Sequence, residues 1–475
     1  IDRQGSRPSE VIDEVLDLFI ELGCSEDLLD FPYIFTSATE GYAVLDPSQQ
    51  GKDIDLLFKM ILEHIPPPTV QADSPFQLQV TNLDYDDHLG RMFGGKILCG
   101  TVRRGETVAI IKRDGTQDKF AVTKVFIYQG LKRIEVEEAS AGEIVLLAGY
   151  EDVQIGSTIA DADQPKALPL IHIDEPTVSM DFIVNNSPWA GKSGKWITMR
   201  NLSNRLYKEA KVNVSLRVEP TDSPDSLRVS GRGELQLAIL LETMRREGYE
   251  VAVSKPKAIT RKIDGVLCEP IEEVTIDVND EAVGTIIQEL AARKGEIISM
   301  SKDETGNNRL IFEVPTRGLI GFRSDFLTWT KGLGMISRMF KEYGPHRGEI
   351  VTRTRGSLIV KETGRATAYA IAPLQERATF FISPGDEVYE GQVVGENSRS
   401  EDMVVNVTKA KHATNMRSST EEATVLITPP RQFMLEQALA FIGDDDLLEV
   451  TPDALRFGKR ILNQIDRRLE ERRSR

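Results

Sequence analysis

The chain is poor in cysteine and histidine. Its 475 residues include three cysteines and five histidines. The cysteines, Cys24, Cys99 and Cys268, stand far apart among apolar neighbours. This pattern excludes a disulfide framework of the secreted type, and no Cys/His group has the spacing of a zinc site. We therefore expect three buried free thiols in a reducing compartment and no metal site.

Long apolar runs and excess positive charge are also lacking. No stretch of eighteen or more apolar residues occurs, so no membrane-spanning helix and no membrane partner are expected. The net charge of −16 argues against a protein that coats nucleic acid with its whole surface. Residues 452–475 differ, since they hold eight Lys or Arg against four acids. Such a tail fits either a local basic contact or a solvated terminal helix.

The chain is long enough for several hydrophobic cores, and its patterning changes along its length. Residues 1–66 show helical periodicity at 10–22 and 55–65 around a short apolar strand at 31–35, as is typical of the closing part of an α/β domain. Three consecutive prolines end the second helix. Glycine-punctuated β-branched runs then fill 67–165 and predict a small β-barrel.

Two units of mixed pattern come next, at 166–262 and 263–345. Each reads strand–helix–strand–strand–helix–strand, which predicts two ferredoxin-like α/β domains in tandem. The last region, 346–475, begins with several segments predicted to form strands and continues to a helix with apolar periodicity at 435–442. An acidic run at 444–446, interpreted as a stop, and a basic helix close the chain. The whole pattern predicts a multidomain α+β protein with a mixed, β-rich C-terminal domain.

No constellation of catalytic side chains stands out after residue 75. Residues 191–193 (GKS) resemble the end of a phosphate-binding loop, but position 186 is Asn where that motif needs Gly, and no strand runs directly into it. Residues 231–233 (GRG) lack the third glycine of a dinucleotide fingerprint. We interpret both segments as turns, and we expect this part of the chain to bind partners rather than to catalyse a reaction.

The opening of the chain carries a pattern typical of guanine-nucleotide domains. Ile1-Asp2 reads as the end of an Asn-Lys-x-Asp motif and Ser37-Ala38 as a Ser-Ala motif. The carboxylate can accept hydrogen bonds from guanine N1–H and N2–H₂, and a backbone N–H of the Ser-Ala loop can donate to O6. Asp2, Ser37 and Ala38 are thus a predicted remnant of a nucleotide site. An alternative explains the two residues equally well: Asp2 is only a residue at the start of the chain and Ser37 only part of a turn, and neither binds a nucleotide.

The parts of a GTPase that hold phosphate and Mg²⁺ have no counterpart in this sequence. We therefore expect a chain truncated before the end of its GTP-binding domain, with no catalytic residue. No cofactor is expected to be bound to this fragment.

Longer motifs carry a family resemblance. Residues 88–105 (HLGRMFGGKILCGTVRRG) and 227–242 (LRVSGRGELQLAILLE) are similar to the barrel and third domains of translational GTPases of the elongation factor G class. Further motifs narrow the resemblance to the BipA/TypA family: 244–257 (MRREGYEVAVSKPK), 317–326 (RGLIGFRSDF), 388–395 (VYEGQVVG) and 414–419 (TNMRSS). The resemblance extends over nearly the whole chain.

The resemblance gives each predicted region a role. Residues 1–66 would be the C-terminal remnant of the GTP-binding domain, and 67–165 the elongation-factor barrel. Residues 166–262 and 263–345 would be ferredoxin-like domains, the second of the elongation factor G C-terminal type. Residues 346–475 would be the family-specific C-terminal domain.

The function implied by the resemblance is that of a ribosome-binding translational GTPase. It would act in stress adaptation, guanosine tetraphosphate signalling and assembly of the large ribosomal subunit, in the cytoplasm or in an organelle stroma or matrix. The implied partners are rRNA, A-site tRNA and guanine nucleotides, with GTP and Mg²⁺ as cofactors of the full-length protein. A non-ribosomal interaction scaffold and a LepA-like elongation factor are the alternatives.

Residues near the C-terminus are the expected RNA contacts. The segment 408–420 is rich in cations and contains no acid, which suits phosphate binding, although a solvated surface hairpin has the same composition. The expected contact residues are Lys409, Lys411, His412, Asn415, Arg417, Arg467 and Arg468.

Overall fold

The computed structural model describes residues 1–67, 69–86, 88–171, 175–302, 307–350, 353, 355–410 and 426–474. Its elements follow the predicted order: a short α/β group, a β-rich group, two groups of mixed helix and strand, and a β-rich C-terminal group. The predicted multidomain α+β class is confirmed. The residue boundaries between the domains stay predictions.

The first group consists of helices around one small hairpin. Its elements are α1 (Pro8–Glu21), α2 (Glu26–Leu29), β1 (Phe35–Ser37), β2 (Tyr42–Val44) and α3 (Asp55–His64). Both predicted helices are confirmed. The strand predicted at 31–35 is wrong except for its last residue: β1 begins at Phe35 and pairs antiparallel with β2. Pro32 has no backbone N–H to donate to a ladder, which disfavours strand pairing before that point.

The β-rich group contains eleven strands. They are β3 (Gln77–Gln79), β4 (Asn82–Asp86), β5 (Gly90–Cys99), β6 (Thr101–Arg103), β7 (Thr107–Ile111), β8 (Gln117–Ala121), β9 (Lys124–Gln129), β10 (Lys132–Val136), β11 (Glu138–Ser140), β12 (Ile144–Ala148) and β13 (Thr158–Asp161). Nine of them pair in one sheet in the order β10-β9-β12-β5-β3-β13-β7-β8, with β4 beside β5. No pair between the two end strands is found among the described residues, so closure as a barrel stays a prediction.

The larger hydrophobic core of this sheet contains the fully buried Phe93 and Val145, and a smaller cluster contains Met92 and Leu146. Backbone packs tightly at Gly95, where a Cβ atom would lie 2.0 Å from the Gln79 carbonyl oxygen. That close approach explains why glycine interrupts an otherwise apolar strand.

The next group has the ferredoxin-like plan. Its elements are β14 (Val178–Val184), α4 (Met199–Val212), β15 (Arg217–Pro220), β16 (Ser226–Gly231), α5 (Glu234–Arg246), β17 (Val251–Val253) and the short β18 (Lys257–Ala258). The strand order β15-β16-β14-β17 is that of an antiparallel ferredoxin-like sheet. Both helices pack on one face, because alternate residues of β14 such as Met180 and Phe182 are buried against Leu206 and Leu237 in one core.

The fourth group repeats the plan. Its elements are β19 (Arg261–Ile263), β20 (Val266–Val278), α6 (Asp280–Ala292), β21 (Glu296–Lys302), β22 (Asn308–Pro315), α7 (Thr316–Leu319), α8 (Phe322–Trp329) and β23 (Met335–Pro345). The order β21-β22-β20, with β23 on the other side of β20, matches that of the preceding domain. The prediction of two ferredoxin-like domains in tandem is confirmed.

In its described residues, the C-terminal group combines many short strands with three helices. Its elements are β24 (Ser357–Val360), β25 (Gly364–Arg365), α9 (Ala368–Ile371), β26 (Ala378–Phe380), β27 (Glu387–Val388), β28 (Gln392–Asn397), β29 (Met403–Val405), α10 (Leu435–Phe441), β30 (Asp446–Val450), β31 (Leu455–Lys459) and α11 (Gln464–Ser474). The apolar helix and the final basic helix are confirmed. The apolar helix ends before the acidic run, and Asp444 and Asp445 form a turn as expected of a stop, but Asp446 begins a strand and a β-hairpin precedes the last helix.

This hairpin joins two domains. Strand β30 pairs antiparallel with β17, so that Val253 lies opposite Leu448. The first ferredoxin-like sheet thereby continues through the hairpin into β28, β24 and β29, giving eleven strands with their side branches. Leu448, Val450 and Phe457 are buried in the same core as the ferredoxin-like strands. The sequence had predicted two separate units here.

The three cysteines are free thiols, as expected, but only Cys268 is buried. Cys24 and Cys99 are half-buried. Cys24 follows the end of α1 in a turn, and Cys99 is the last residue of β5. The expectation of burial was therefore wrong for both, because element ends lie closer to solvent than element centres do.

Candidate functional site

The first group of elements brings the two predicted base-selecting positions together. The backbone nitrogen of Ile1 donates a hydrogen bond to the carbonyl oxygen of Thr36, 3.0 Å away. This contact holds the start of the chain against β1. Ser37 is fully buried, and its Oγ accepts a hydrogen bond from the Glu40 N–H at 3.2 Å. Ala38 follows in the exposed turn between β1 and β2.

Asp2 contacts the same turn. A hydrogen bond from the Thr39 side chain, the backbone N–H of Asp2 itself and a hydrogen bond from Ser37 hold the pKa of Asp2 below its ordinary value. The carboxylate is therefore ionised at neutral pH. An ionised carboxylate only accepts hydrogen bonds, so it complements the two donors on the edge of guanine.

The segment that resembled a phosphate loop is occupied by protein contacts. The Gly191 N–H donates to Glu250 Oε2 at 2.6 Å, and Ser193 Oγ donates to Asp453. Lys192 Nζ lies 3.3 Å from the centroid of the Trp189 ring. Because Asp453 lies in the turn of the β30–β31 hairpin, these contacts tie the first ferredoxin-like domain to the C-terminal domain.

The predicted RNA-contact residues fall into three sets. Lys411, His412, Asn415 and Arg417 lie outside the described residues. Lys409 is exposed, and its carbonyl oxygen accepts a hydrogen bond from Thr367 Oγ1. On α11, Arg468 is exposed, whereas Arg467 is half-buried and donates from Nη1 to the carbonyl oxygens of Ile461 and Leu462. These two bonds fix the entry of the chain into α11, a structural role for Arg467.

Sequence reasoning missed a cleft on the open face of the first ferredoxin-like sheet. The cleft has a volume of about 460 Å³, and we call it the basic cleft. Its cations are Arg217, Arg228, Lys255, Lys257, Arg261 and Arg460. Its acids are Asp181, Glu219, Asp444 and Asp446. Strand alternation was the available signal, since Arg217 and Arg228 flank buried or half-buried apolar residues and so point away from the core.

Three family models match the chain. They are Elongation factor Tu domain 2 at residues 90–160, Elongation factor G C-terminus at 266–354, and TypA/BipA C-terminal domain at 355–464. The three regions correspond to the β-rich group, the second ferredoxin-like domain and the C-terminal group.

Curated relatives align with nearly the whole chain. The chain is 48% identical over 468 residues to the large ribosomal subunit assembly factor BipA of Bacillus subtilis (strain 168), an alignment that covers 98% of this chain and 76% of that protein. The chain belongs to the TypA/BipA family. Proteins of the same name from Synechocystis sp. and Escherichia coli (strain K12) are each 46% identical, over 97% and 99% of this chain and 77% and 78% of theirs.

Family membership confirms the resemblance recognised from the sequence motifs. The match to the TypA/BipA C-terminal domain favours this family over the LepA-like alternative. A solved chain from Thermus thermophilus is 18% identical with a TM-score of 0.42, over 62% of this chain and 59% of that chain, which is too distant to support an argument. Within the part of the chain that the structure describes, no helix has the length and apolar character needed to cross a bilayer.

Proposed function

We propose that this chain docks on the ribosome as part of a translational GTPase that acts in assembly of the large ribosomal subunit. The observation that carries the proposal is the 48% identity over 98% of the chain to a protein named for that role. The match of residues 355–464 to a C-terminal domain named for the TypA/BipA family supports it. A role in stress adaptation, implied by the resemblance of the sequence motifs, is part of the same proposal.

We assign RNA contact to the C-terminal domain. The exposed Lys409 and Arg468, together with Lys411, His412, Asn415 and Arg417, supply cations and donors suited to the phosphates of rRNA or A-site tRNA. Arg467 supports this surface indirectly by fixing the start of α11.

We assign guanine selection to Asp2, Ser37 and Ala38 in the full-length protein. The proximity of the ionised Asp2 carboxylate to the Ser37–Thr39 turn fits the base of GTP. The Gly-Lys-Ser segment does not fit its phosphates, because Glu250, Asp453 and Trp189 occupy the groups that would bind them. GTP would supply the switch that controls ribosome binding, and Mg²⁺ would neutralise its phosphates.

Sedimentation with purified large subunits over a range of salt concentrations tests the proposal. We expect co-sedimentation at low salt. Neutralising Lys409, Lys411 and Arg417 to Gln should flatten the slope of log K against log salt by about 0.7 per lost phosphate contact, or about 2 in all. The charge-conserving variant with Lys409→Arg, Lys411→Arg and Arg417→Lys should keep the parent slope. An unchanged slope in the neutral variant would dismiss the contact, and absence of co-sedimentation would favour a protein-interaction scaffold.

A further inference from the structure

The basic cleft is a rigid cationic surface that the proposed C-terminal contact does not use. The segment after β17 forms one wall, and the Ser254–Lys257 end of the family motif lies in it. The Ser254 N–H donates to the Asp181 carbonyl oxygen at 3.0 Å, and Ser254 Oγ accepts from the Asp181 N–H at 3.0 Å. Strand β18 then pairs with the start of β14. The backbone that carries Lys255 and Lys257 is thus held in place before any ligand binds, which lowers the entropic cost of binding.

Within the cleft the acids only partly balance the cations. Asp446 is already paired with Lys459 and Arg353, both outside the cleft. Asp444 lies 3.3 Å from Lys257 Nζ and 3.9 Å from Lys255 Nζ, so one carboxylate serves two ammonium groups. A protein with a net charge of −16 therefore presents a local excess of positive charge at this place.

Four of the six cationic side chains remain available for a further partner, whereas Arg261 is paired with Glu175. Arg228 pairs with Asp181 through Nε at 2.8 Å and Nη2 at 3.3 Å, yet half of its side chain is exposed. Lys257 is 62% exposed, and Arg217 and Arg460 are exposed at the mouth. An arginine fixed by a carboxylate still has N–H donors for a second anion.

The side chains that line the basic cleft favour one class of anionic ligand over others. Ser179, Ser230 and Ser254 add hydroxyl donors, and the described lining contains no aromatic ring on which a base could stack. Single-stranded RNA is usually held by such stacking, whereas double-stranded RNA is recognised through its phosphates, its 2′-hydroxyls and its shape. The cleft therefore suits the backbone of a duplex.

We propose that the basic cleft binds the phosphate backbone of a double-stranded RNA segment, as a contact separate from the C-terminal loop. The inference rests on the proposed function, since ribosomal RNA is the duplex that a ribosome-docking protein would meet. Its chemistry can nevertheless be tested without ribosomes.

The experiment titrates the whole chain with a fluorescent RNA duplex of about 16 base pairs, the length that duplex-binding domains span. The cleft variant carries Arg217→Gln, Lys257→Gln and Arg460→Gln. With about 0.9 lost from the salt slope per phosphate contact, the slope should flatten by about 2 to 3, and binding at about 50 mM salt should weaken at least tenfold. Arg217→Lys with Arg460→Lys should keep the parent slope.

A matched control removes the same charge from the second ferredoxin-like domain, through Lys302→Gln, Arg309→Gln and Lys341→Gln. This control should bind the duplex like the parent. Equal weakening in both variants would show a general charge effect and would overturn the proposal. So would absence of duplex binding by the parent, or equal affinity for the single strand. Circular dichroism melting of each variant identifies any loss that comes from unfolding.

Sedimentation with large subunits separates this inference from the proposed function. If the parent binds the duplex but does not co-sediment, the cleft assignment stands and the ribosomal role fails. If the parent co-sediments but does not bind the duplex, the cleft assignment fails and the ribosomal role stands.

Discussion

In the first ferredoxin-like domain the fourth strand, β17, continues into the C-terminal hairpin through β30. In the second domain the fourth strand, β23, pairs only with β20 among the described residues. The two domains share one strand order, so topology alone did not decide which sheet would be extended. The difference shows that the same strand order can form either a sheet that ends at its fourth strand or one part of a larger sheet.

The two ferredoxin-like sheets also differ in the side chains on their open faces. Asp181 of β14 pairs with Arg228 of β16, and Asp277 of β20 pairs with Arg309 of β22 in the equivalent place. Around the first pair lie the other cations of the basic cleft. Strand β23, next to the second pair, instead carries the exposed Met335 and Met339. The shared ion pair belongs to the fold, whereas its surroundings distinguish the surfaces.

A buried lysine stabilises the place where the β30–β31 hairpin joins the first ferredoxin-like sheet. Lys459 is 4% exposed, and its Nζ lies 2.9 Å from Asp402, 2.7 Å from Asp445 and 2.8 Å from Asp446. Burial opposes the charged form of Lys459, but the three carboxylates outweigh burial and raise its pKa above the ordinary lysine value. Asp445 and Asp446 of the acidic run are thus counter-charges of a buried lysine, whereas Asp444 pairs with Lys257 in the basic cleft.

The largest effect is expected from removing that lysine. Lys459→Met would take from the buried Asp446 one of its two cations, leaving Arg353, and should destabilise the joined sheet by about 3–5 kcal/mol. Lys341→Met is the counterpart in the second domain, where the Lys341–Glu313 pair is partly exposed, and should cost less than about 1 kcal/mol. Hydrogen exchange of the amides in β17, β30 and β31 measures the first change. Equal effects of the two variants would refute the comparison.

A cavity in the shared core should give the next effect. Leu448 is fully buried opposite Val253, and Leu448→Ala should cost about 2–5 kcal/mol. Met339 lies on β23 and is 65% exposed, so Met339→Ala should stay within about 0.5 kcal/mol. Urea unfolding followed by hydrogen exchange compares the two. The reverse ranking would mean that β30 does not pack on the first domain.

The smallest effect concerns the contact between the two domains at Glu234, the first residue of α5. Burial raises the pKa of Glu234, and the carboxylates of Glu272 and Glu436 raise it further. The Gly321 N–H at 2.9 Å and Arg338 at 3.9 Å only partly offset this. A raised carboxyl pKa in the folded state gives stability that is present below the unfolded pKa, about 4.3, and is lost as the pH rises through the folded value.

Glu234→Gln should therefore stabilise the chain slightly at pH 7 and have no such benefit at pH 4. Loss of the long pair with Arg338 costs no more than about 1 kcal/mol and should not reverse the sign. Urea midpoints at the two pH values measure the difference. Glu436→Gln removes the same charge at an exposed position and should show a weaker pH dependence. A larger loss at pH 7 than at pH 4 for Glu234→Gln would contradict this account.

Much of the fold was predictable because local patterns specify faces and turns. Periodicity located α1, α3 and α10, and alternation identified both ferredoxin-like plans. The candidate functional site was harder to predict from the sequence than the fold. Asp2 and Ser37 were found through their motif, whereas Arg217 and Arg228 belong to no motif and acquire meaning only when β15 and β16 lie side by side.

The sequence by itself determined the family and the order of the domains. Tertiary structure alone decided that β30 would pair with β17, and that Asp446 would be buried beside Lys459 rather than end a helix. The physical reason is that strands pair through backbone N–H and C=O groups, which are the same in every residue. Alternation therefore states which face is buried but does not name the neighbouring strand.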